Sequence, residues 1–346
     1  MRFLQDLTYE EVEKTVLDCG MPKYRAGQLF SWITRGAKYG EMSNIPQSLK
    51  DFLVSQGYND EPVRIIRTLE SKLDGTVKFL YALQDNNVIE GVLMKYKYGN
   101  TLCVSTQVGC RMNCAFCASG LDGLVRNLTS GEILGQIIAV NGTYGAGTVG
   151  NVVLMGSGEP LDNYDNTVKF LTNVSDLRGL NISKRGVSLS TCGLCDKMRL
   201  LCDQGYTPTL TVSLHAPNDE IRKKIMPIAV RYSVSEVVDA AKYYFNVTGR
   251  RVIFEYSLIK GVNDSMDCAK ELARLIKGFP CHVNLIALNS VKERGLAGTL
   301  KEQVEQFRAC LEKLNVSVTL RRSMGADIDG ACGQLRRKFI KAGGGE

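Results

Sequence analysis

Residues 101–117 read TLCVSTQVGCRMNCAFC, an apolar run that leads into a loop carrying Cys110, Cys114 and Cys117 in a C-x3-C-x2-C spacing. Three thiolates on one short loop can ligate three irons of a cubane 4Fe–4S cluster and leave the fourth iron open. An open iron can chelate S-adenosylmethionine (SAM) through its amino and carboxylate groups. Electron transfer from the reduced cluster then breaks a carbon–sulfur bond and yields a 5′-deoxyadenosyl radical. Phe116, between the last two cysteines, would shield the cluster. The competing arrangement is a tetrahedral zinc site, whose fourth ligand would come from the C-x2-C pair Cys192 and Cys195. A zinc knuckle pairs two dithiol turns, whereas this loop holds three cysteines at unequal spacing, so the cluster is the preferred reading. Cys192 and Cys195 then read as packing thiols.

Downstream of Asn100 the chain alternates short apolar strands with helical stretches: TLCVSTQ, NVVLM, GVSLS, TLTVSL, RVIFEYSL, HVNLIAL and VSVTLRR. Repeated βα units predict an α/β fold with a parallel sheet closed into a full or partial βα barrel. Barrel ligands sit at the C-terminal ends of the strands. The polar or glycine-rich ends here, Gly156 to Glu159, Ser190, Ser213 with His215, and Asn289, are therefore expected to converge on one mouth. Taken singly, the glycines fit an ordinary strand-to-helix turn and His215 a satisfied core histidine.

Upstream, LTYEEVEKTVLDCG opens with Thr8 and Glu11 in capping-box spacing and stops at Gly20 before Pro22; YRAGQLFSWITRG and PQSLKDFLVSQG read as two further helices. From Val63 to Gln107 the period changes to two, with turn signals at 73–75, 84–87 and 98–100, the pattern of a β-meander. The expected organisation is a helical accessory domain over 1–62, a meander extension over 63–99, the catalytic barrel over 100–340 and a disordered tail over 341–346.

The bulk numbers are consistent with this layout. A chain of 346 residues with 44% hydrophobic content can bury a substantial core. No stretch approaches the roughly 18 consecutive apolar residues of a membrane span, and the opening segment lacks a signal-peptide pattern. A cytoplasmic protein without a membrane partner is expected. Twelve cysteines spread over a chain of this size, with one tight cluster, indicate metal or thiol chemistry rather than a disulfide scaffold. Two histidines, His215 and His282, exclude histidine-rich metal sites. The net charge of +7 is moderate, with Arg321, Arg322, Arg336, Arg337, Lys338 and Lys341 grouped late in the chain. Such residues suit phosphate contacts or simply a solvated basic surface.

In TLCVSTQVGCRMNCAFC, MGSGEPLDN, VSLSTCG, TVSLHAP, LIALNS and GADIDGACGQL the chain resembles the RlmN/Cfr family of radical SAM RNA methyltransferases over nearly its whole length. The resemblance implies that SAM is held by Gly158, Glu159, Ser190, Ser213, Leu214, His215 and Asn289. It implies that Cys332 takes a methyl group from one SAM to become S-methylcysteine, and that a second SAM supplies the adenosyl radical that activates it. Cys103 is the implied disulfide partner that resolves the protein–RNA adduct, and Glu90, in VIEGVLM, the implied proton acceptor. From the residues alone, Cys103 reads as a buried strand cysteine and Glu90 as a solvent-facing strand position; among apolar neighbours a carboxylate would instead have its pKa raised by desolvation.

The chemistry explains why a tethered methyl is needed: C2 of adenine is electron-poor and cannot attack a sulfonium methyl. The implied substrate is C2 of adenosine 2503 in 23S rRNA, with adenosine 37 of some tRNAs as a second. The implied partners are these RNAs and an external electron donor of the flavodoxin or ferredoxin type. The helical N-terminal region resembles the family's accessory RNA-binding domain. The related enzymes that methylate C8 of the same adenine and confer antibiotic resistance have Ala where this chain has Pro160, which favours C2. A non-catalytic iron–sulfur or zinc RNA-binding module would leave Cys332 and the SAM residues without a purpose.

Overall fold

The computed structural model describes residues 2–288, 295–322 and 324–328. Asn289, Cys332, the basic residues from Arg336 onward and the expected tail at 341–346 lie outside the described residues.

The N-terminal part begins with a short strand, β1 (Arg2–Phe3), followed by helices α1 (Tyr9–Asp18), α2 (Tyr24–Arg35) and α3 (Gln47–Ser55), and by β2 (Tyr58–Asn59), which pairs parallel with β1. Thr8 and Glu11 form the reciprocal capping box that starts α1, and Gly36 ends α2 in the left-handed conformation at φ 74°. The two-stranded β1–β2 pairing has no counterpart in the helical sequence pattern, because two residues are too few to show a period. The three helices enclose an apolar cluster of their own that includes Leu4, Val12, Leu29, Phe30, Leu49 and Leu53.

The meander follows as β3 (Val63–Glu70), β4 (Val77–Leu83) and β5 (Val88–Tyr96), antiparallel throughout, and continues antiparallel into β6 (Gly99–Cys103). Next come β7 (Gln107–Gly109) and β8 (Leu124–Asn127), a hairpin whose long connection carries the three cysteines. From there the chain alternates: α4 (Ser130–Tyr144), β9 (Asn151–Leu154), α5 (Tyr164–Val174), β10 (Val187–Thr191), α6 (Cys195–Asp203), β11 (Thr209–Ser213), α7 (Asp219–Ile225), α8 (Val234–Thr248), β12 (Val252–Leu258), α9 (Met266–Leu275), β13 (Cys281–Ala287), α10 (Lys301–Lys313) and β14 (Val318–Leu320).

Among the described residues, β6 and β9 to β14 are parallel neighbours in sequence order, and the meander strands extend the same sheet to ten. This is an α/β fold with a βα barrel of the partial kind, since the sheet order runs from β14 to β3 without closing. The meander is thus continuous with the barrel sheet. The segment after β14 returns to the opposite edge: Ser71 Oγ and the Lys72 N–H donate to the Asp327 carboxylate at 2.6 and 2.9 Å, and the Gly325 N–H donates to Asp74 Oδ2 at 2.8 Å. A loop therefore bridges the two open edges.

The strands follow the period-two rule, and the period decides the site. On β12, Phe254, Tyr256 and Leu258 pack outward against the helices, while Glu255 and Ser257 share the inner face. Register places Ser213, Glu255, Asn284 and Thr319 in one row across four strands. Asn284 Nδ2 donates to Glu255 Oε1 at 3.3 Å and Thr319 Oγ1 to Asn284 Oδ1 at 2.7 Å. The interior of the partial barrel is polar on this side.

The helical N-terminal part docks through α4 and α5. Asp6 Oδ1 accepts from the Gly131 N–H at 2.7 Å, in the first turn of α4 where the helix dipole favours an anion. Asn173 Nδ2 donates to the Gln5 and Leu7 carbonyls, and Lys169 pairs with Glu11 at 2.7 Å.

Candidate active site

A cavity of about 280 Å³ opens at the C-terminal ends of the parallel strands. From the β7–β8 connection it receives Cys110, Cys114, Phe116 and Cys117; from the turn after β9, Gly156, Gly158 and Glu159; from β10 and β11, Ser190, Ser213 and His215; and from β12, Glu255 and Ser257. The cysteine loop is shaped locally. Gly109 sits at φ 79°, a Cβ there would run into the Gly123 carbonyl, and the Cys110 N–H donates to that same oxygen at 2.9 Å. The Ala115 N–H donates to the Ile225 carbonyl at 2.8 Å, which ties the loop to α7.

Burial pushes the Cys110 thiol up to about 12 and the Cys114 thiol higher still. Without metal these thiols are protonated, so iron must displace the protons, and binding is then coupled to their release. Among the described residues no three His, Cys, Asp or Glu side chains are arranged around a single ion. A cubane makes a different demand, one iron for each thiolate, and three cysteines distributed along one cavity wall suit it.

Glu159 is buried, and burial raises its pKa while the Cys192 and Leu161 N–H groups donating at 2.7 and 3.1 Å oppose the rise. Its own N–H donates to Gln107 Oε1 at 2.8 Å. The carboxylate therefore ties the ends of β9 and β10 together and keeps lone pairs for a ligand ammonium. The two glycines serve the turn after β9. A Cβ at Gly156 would lie 2.7 Å from the Val104 carbonyl oxygen, and one at Gly158, where φ is 110°, would lie 2.7 to 2.8 Å from Gln107 and Thr106. They let the turn after β9 pack on the β6–β7 backbone, which places Glu159 in the cavity.

His215 is buried in the left-handed region at φ 56°. Its Nδ1 accepts from the Ser257 N–H at 2.9 Å, which puts the proton of the neutral ring on Nε2, and Phe116 packs edge-on against it at 4.6 Å. Burial, reinforced by the Arg222 charge, depresses its pKa to about 3. So His215 is both a hydrogen-bonded interior histidine and a wall of the cavity.

Leu214 is fully buried in the core and does not line the cavity; its carbonyl accepts from Arg222 Nε at 3.1 Å. Cys103 and Glu90 also stand outside the lining. Cys103 is buried in an apolar cluster with Met155, which does line the cavity, and faces Val92 across the β5–β6 pair. Glu90 shares that sheet face by period two. Its surroundings are not purely apolar, because the Lys78 ammonium lies 3.1 Å from Oε2.

Glu255 and Arg222 escaped the sequence reading, and Arg321 entered it only as one of the late basic residues, not as part of the cavity. Glu255 has an enclosed Oε2 without a hydrogen-bond partner, 3.8 Å from the Arg321 guanidinium, and burial raises its pKa. A lone glutamate in RVIFEYSL was the available signal. Arg321 follows β14 and lines the cavity. Arg222, on α7, is completely buried and donates to the carbonyls of Cys192, Leu214, Ser213 and Tyr232. The enclosed Glu255 carboxylate, whose Oε2 has no hydrogen bond and faces Arg321 at 3.8 Å, the buried Glu159 and three thiols on one cavity fit a cationic ligand beside a metal cluster.

Comparison with known proteins agrees with this geometry. Residues 104–276 match the Radical SAM superfamily. The chain is 50% identical over 345 residues, 99% of its length and 97% of the relative's, to the probable dual-specificity RNA methyltransferase RlmN of Lachnospira eligens. It is 50% identical over 346 residues, 99% of each chain, to the protein of that description in Clostridium perfringens strain SM101. Among solved structures it is similar to a radical SAM methyltransferase from Sphaerobacter thermophilus, at TM-score 0.91 and 40% identity, covering 96% of this chain and 99% of that one. A likeness in fold alone extends to Streptococcus suis SuiB bound to SAM, at TM-score 0.50 and 14% identity over 64% of this chain and 51% of that one.

Proposed function

The chain belongs to the RlmN family of radical SAM RNA methyltransferases, whose cofactors are a 4Fe–4S cluster and SAM, and from that premise we propose that it methylates C2 of adenine in 23S rRNA and in some tRNAs. The observation that carries the proposal is the shared cavity of Cys110, Cys114, Cys117, Glu159, Ser190, Ser213 and His215, with Cys103 packed behind its Met155 wall.

When bound, the cluster and SAM supply a methyl group and a 5′-deoxyadenosyl radical. Cys110, Cys114 and Cys117 hold the cluster. Glu159 accepts from the SAM ammonium, Ser190 and Ser213 offer hydroxyls, and the Nε2–H of neutral His215 offers a donor that does not change with physiological pH. Asn289 completes the set by resemblance. Cys332 would store the methyl as a thioether and give up one of its hydrogens to the adenosyl radical, the carbon radical on Cys332 would add to C2, and the one electron the adduct must lose on rearomatising would have the oxidised cluster as its acceptor. Glu90 takes the proton from that carbon. Cys103 attacks the Cys332 sulfur, releases the base and leaves a disulfide for an external reductant. An electron donor of the flavodoxin or ferredoxin type and the RNA are the partners. The helices within 1–62 and the basic residues after β14 grip phosphates. No described helix is long and apolar enough to cross a membrane; the RNA substrates of the proposal assign the site of action to the cytoplasm.

The test is nuclease digestion of RNA treated with the reconstituted enzyme, then chromatography against 2-methyladenosine and 8-methyladenosine. The 2-methyl product is expected. An 8-methyl product would move the chain to the C8 branch, and no methylated adenosine would end the reading.

A further inference from the structure

The β5–β6 hairpin turns through Lys97 and Tyr98, with Tyr96 paired to Gly99. At this turn the Tyr96 and Tyr98 rings stack, with centroids 5.0 Å apart and planes 6° apart. Tyr96 is anchored from below: it packs against the cluster of Val92, Met94 and Cys103, and its hydroxyl donates to Met94 Sδ. Tyr98 is 75% exposed. A lone exposed tyrosine requires no explanation. A ring held parallel to an anchored one, with its outer side open to water, is a preformed stacking surface that a third planar group can extend.

Its position relates it to the site. By period two Tyr96 lies on the sheet face that carries Glu90, Val92 and Met94, and Val92 is opposite Cys103. At about 3.3 Å per residue, the four residues from Val92 to Tyr96 put the ring pair roughly 13 Å along the hairpin from Cys103. Positive charge accompanies it. Arg321 Nη1 donates to Met155 Sδ, which packs against the same cluster as Tyr96, and the Arg321 and Arg322 charges oppose the rise that burial gives the Tyr96 phenol pKa. Arg321 also lines the cavity, so the basic patch is continuous with the mouth.

We propose that Tyr98, stacked on Tyr96, is a platform for an unpaired RNA base near the target adenine, with Arg321 and Arg322 attracting the adjoining phosphates. Aromatic faces accept any base, and unstacked bases occur in RNA loops and bulges rather than in duplex. The platform therefore selects for single-stranded context around the target more than for sequence. This inference rests on the reading that RNA is the substrate.

The experiment measures binding by fluorescence anisotropy for the reconstituted enzyme and its Tyr98→Ala and Tyr98→Phe variants. The probes are a labelled RNA stem-loop with adenine in its loop and a fully paired duplex of equal length. Tyr98→Ala should weaken stem-loop binding about five- to hundred-fold, Tyr98→Phe should stay within about twofold, and duplex and SAM affinities should not change. Equal loss for Phe and Ala would point to the hydroxyl and overturn stacking, as would equal loss for stem-loop and duplex. Tyr98→Ala binding like wild type overturns the platform while leaving the proposed function intact. A wild-type enzyme that neither binds nor methylates RNA overturns the proposed function itself.

Discussion

Lys78 Nζ lies 3.1 Å from Glu90 Oε2 across the β4–β5 pair, and both side chains are shut away from water, at 0% and 7% exposure. An enclosed ion pair is costly to break from one side, since the remaining charge stays buried, at about 3–5 kcal/mol.

Glu90→Gln should therefore destabilise the protein by roughly that amount in denaturant unfolding, and Lys78→Met with Glu90→Gln together should recover most of it. If Glu90 takes the proton from the reacting carbon, methylation stays absent in both variants. A double variant that methylates RNA at the wild-type rate would reduce Glu90 to a structural partner of Lys78.

Arg222 holds the ends of β10 and β11 by donating to the carbonyls of Cys192, Ser213 and Leu214, at 2.6 to 3.3 Å. A lysine ammonium cannot reproduce the planar fork. Both Arg222→Lys and Arg222→Met should lose about 2 kcal/mol or more of stability and weaken SAM binding, measured by calorimetry. Wild-type SAM affinity in a folded Arg222→Met would show that these strand ends need no such clamp.

His215 bears on acid stability. Its pKa is about 3 in the folded protein, held down by burial and by Arg222, against the ordinary histidine value of 6.5. Between these values the unfolded chain binds a proton that the folded chain refuses, so stability falls as pH drops through that window and is unaffected above it. Glu159 and Glu255 have raised pKa values and work in the opposite direction. The contribution is isolated by difference: His215→Asn should lose less stability than wild type between pH 6.5 and 4 in metal-free protein. Parallel curves would mean that the ring accepts a proton when folded.

Cys103 and Cys332 should fail differently. Cys332→Ala has nowhere to store the methyl, so neither methylated protein nor methylated RNA forms. Cys103→Ala still permits transfer and addition but lacks the resolving thiolate, and a covalent protein–RNA adduct should accumulate on a denaturing gel. Normal turnover by Cys103→Ala would leave that residue as a packing thiol of the Met94 and Met155 cluster.

The sequence by itself determined the meander, the parallel barrel strands, the cysteine loop and the polar strand ends at Gly156, Gly158, Glu159, Ser190, Ser213 and His215 that line the cavity. Period-two alternation, capping boxes and C-x3-C-x2-C spacing are local properties, visible within a dozen residues. RVIFEYSL shows its two faces without a structure, and TVSLHAP shows where a strand stops. What only the tertiary structure decided are the partners. Lys78 is an ordinary lysine in VKFLYAL until β5 brings Glu90 to it, and Arg222 is one of several basic residues in DEIRKKI until it reaches a carbonyl 30 positions away. The barrel edges are bridged by Ser71 and Asp327, 256 positions apart. Even Gly158, which lines the cavity, owes its place to partners distant in sequence, since its missing side chain makes room for Gln107 and Thr106. Buried charges and close backbone contacts are satisfied by whichever groups the fold delivers, and no local pattern records which groups those are.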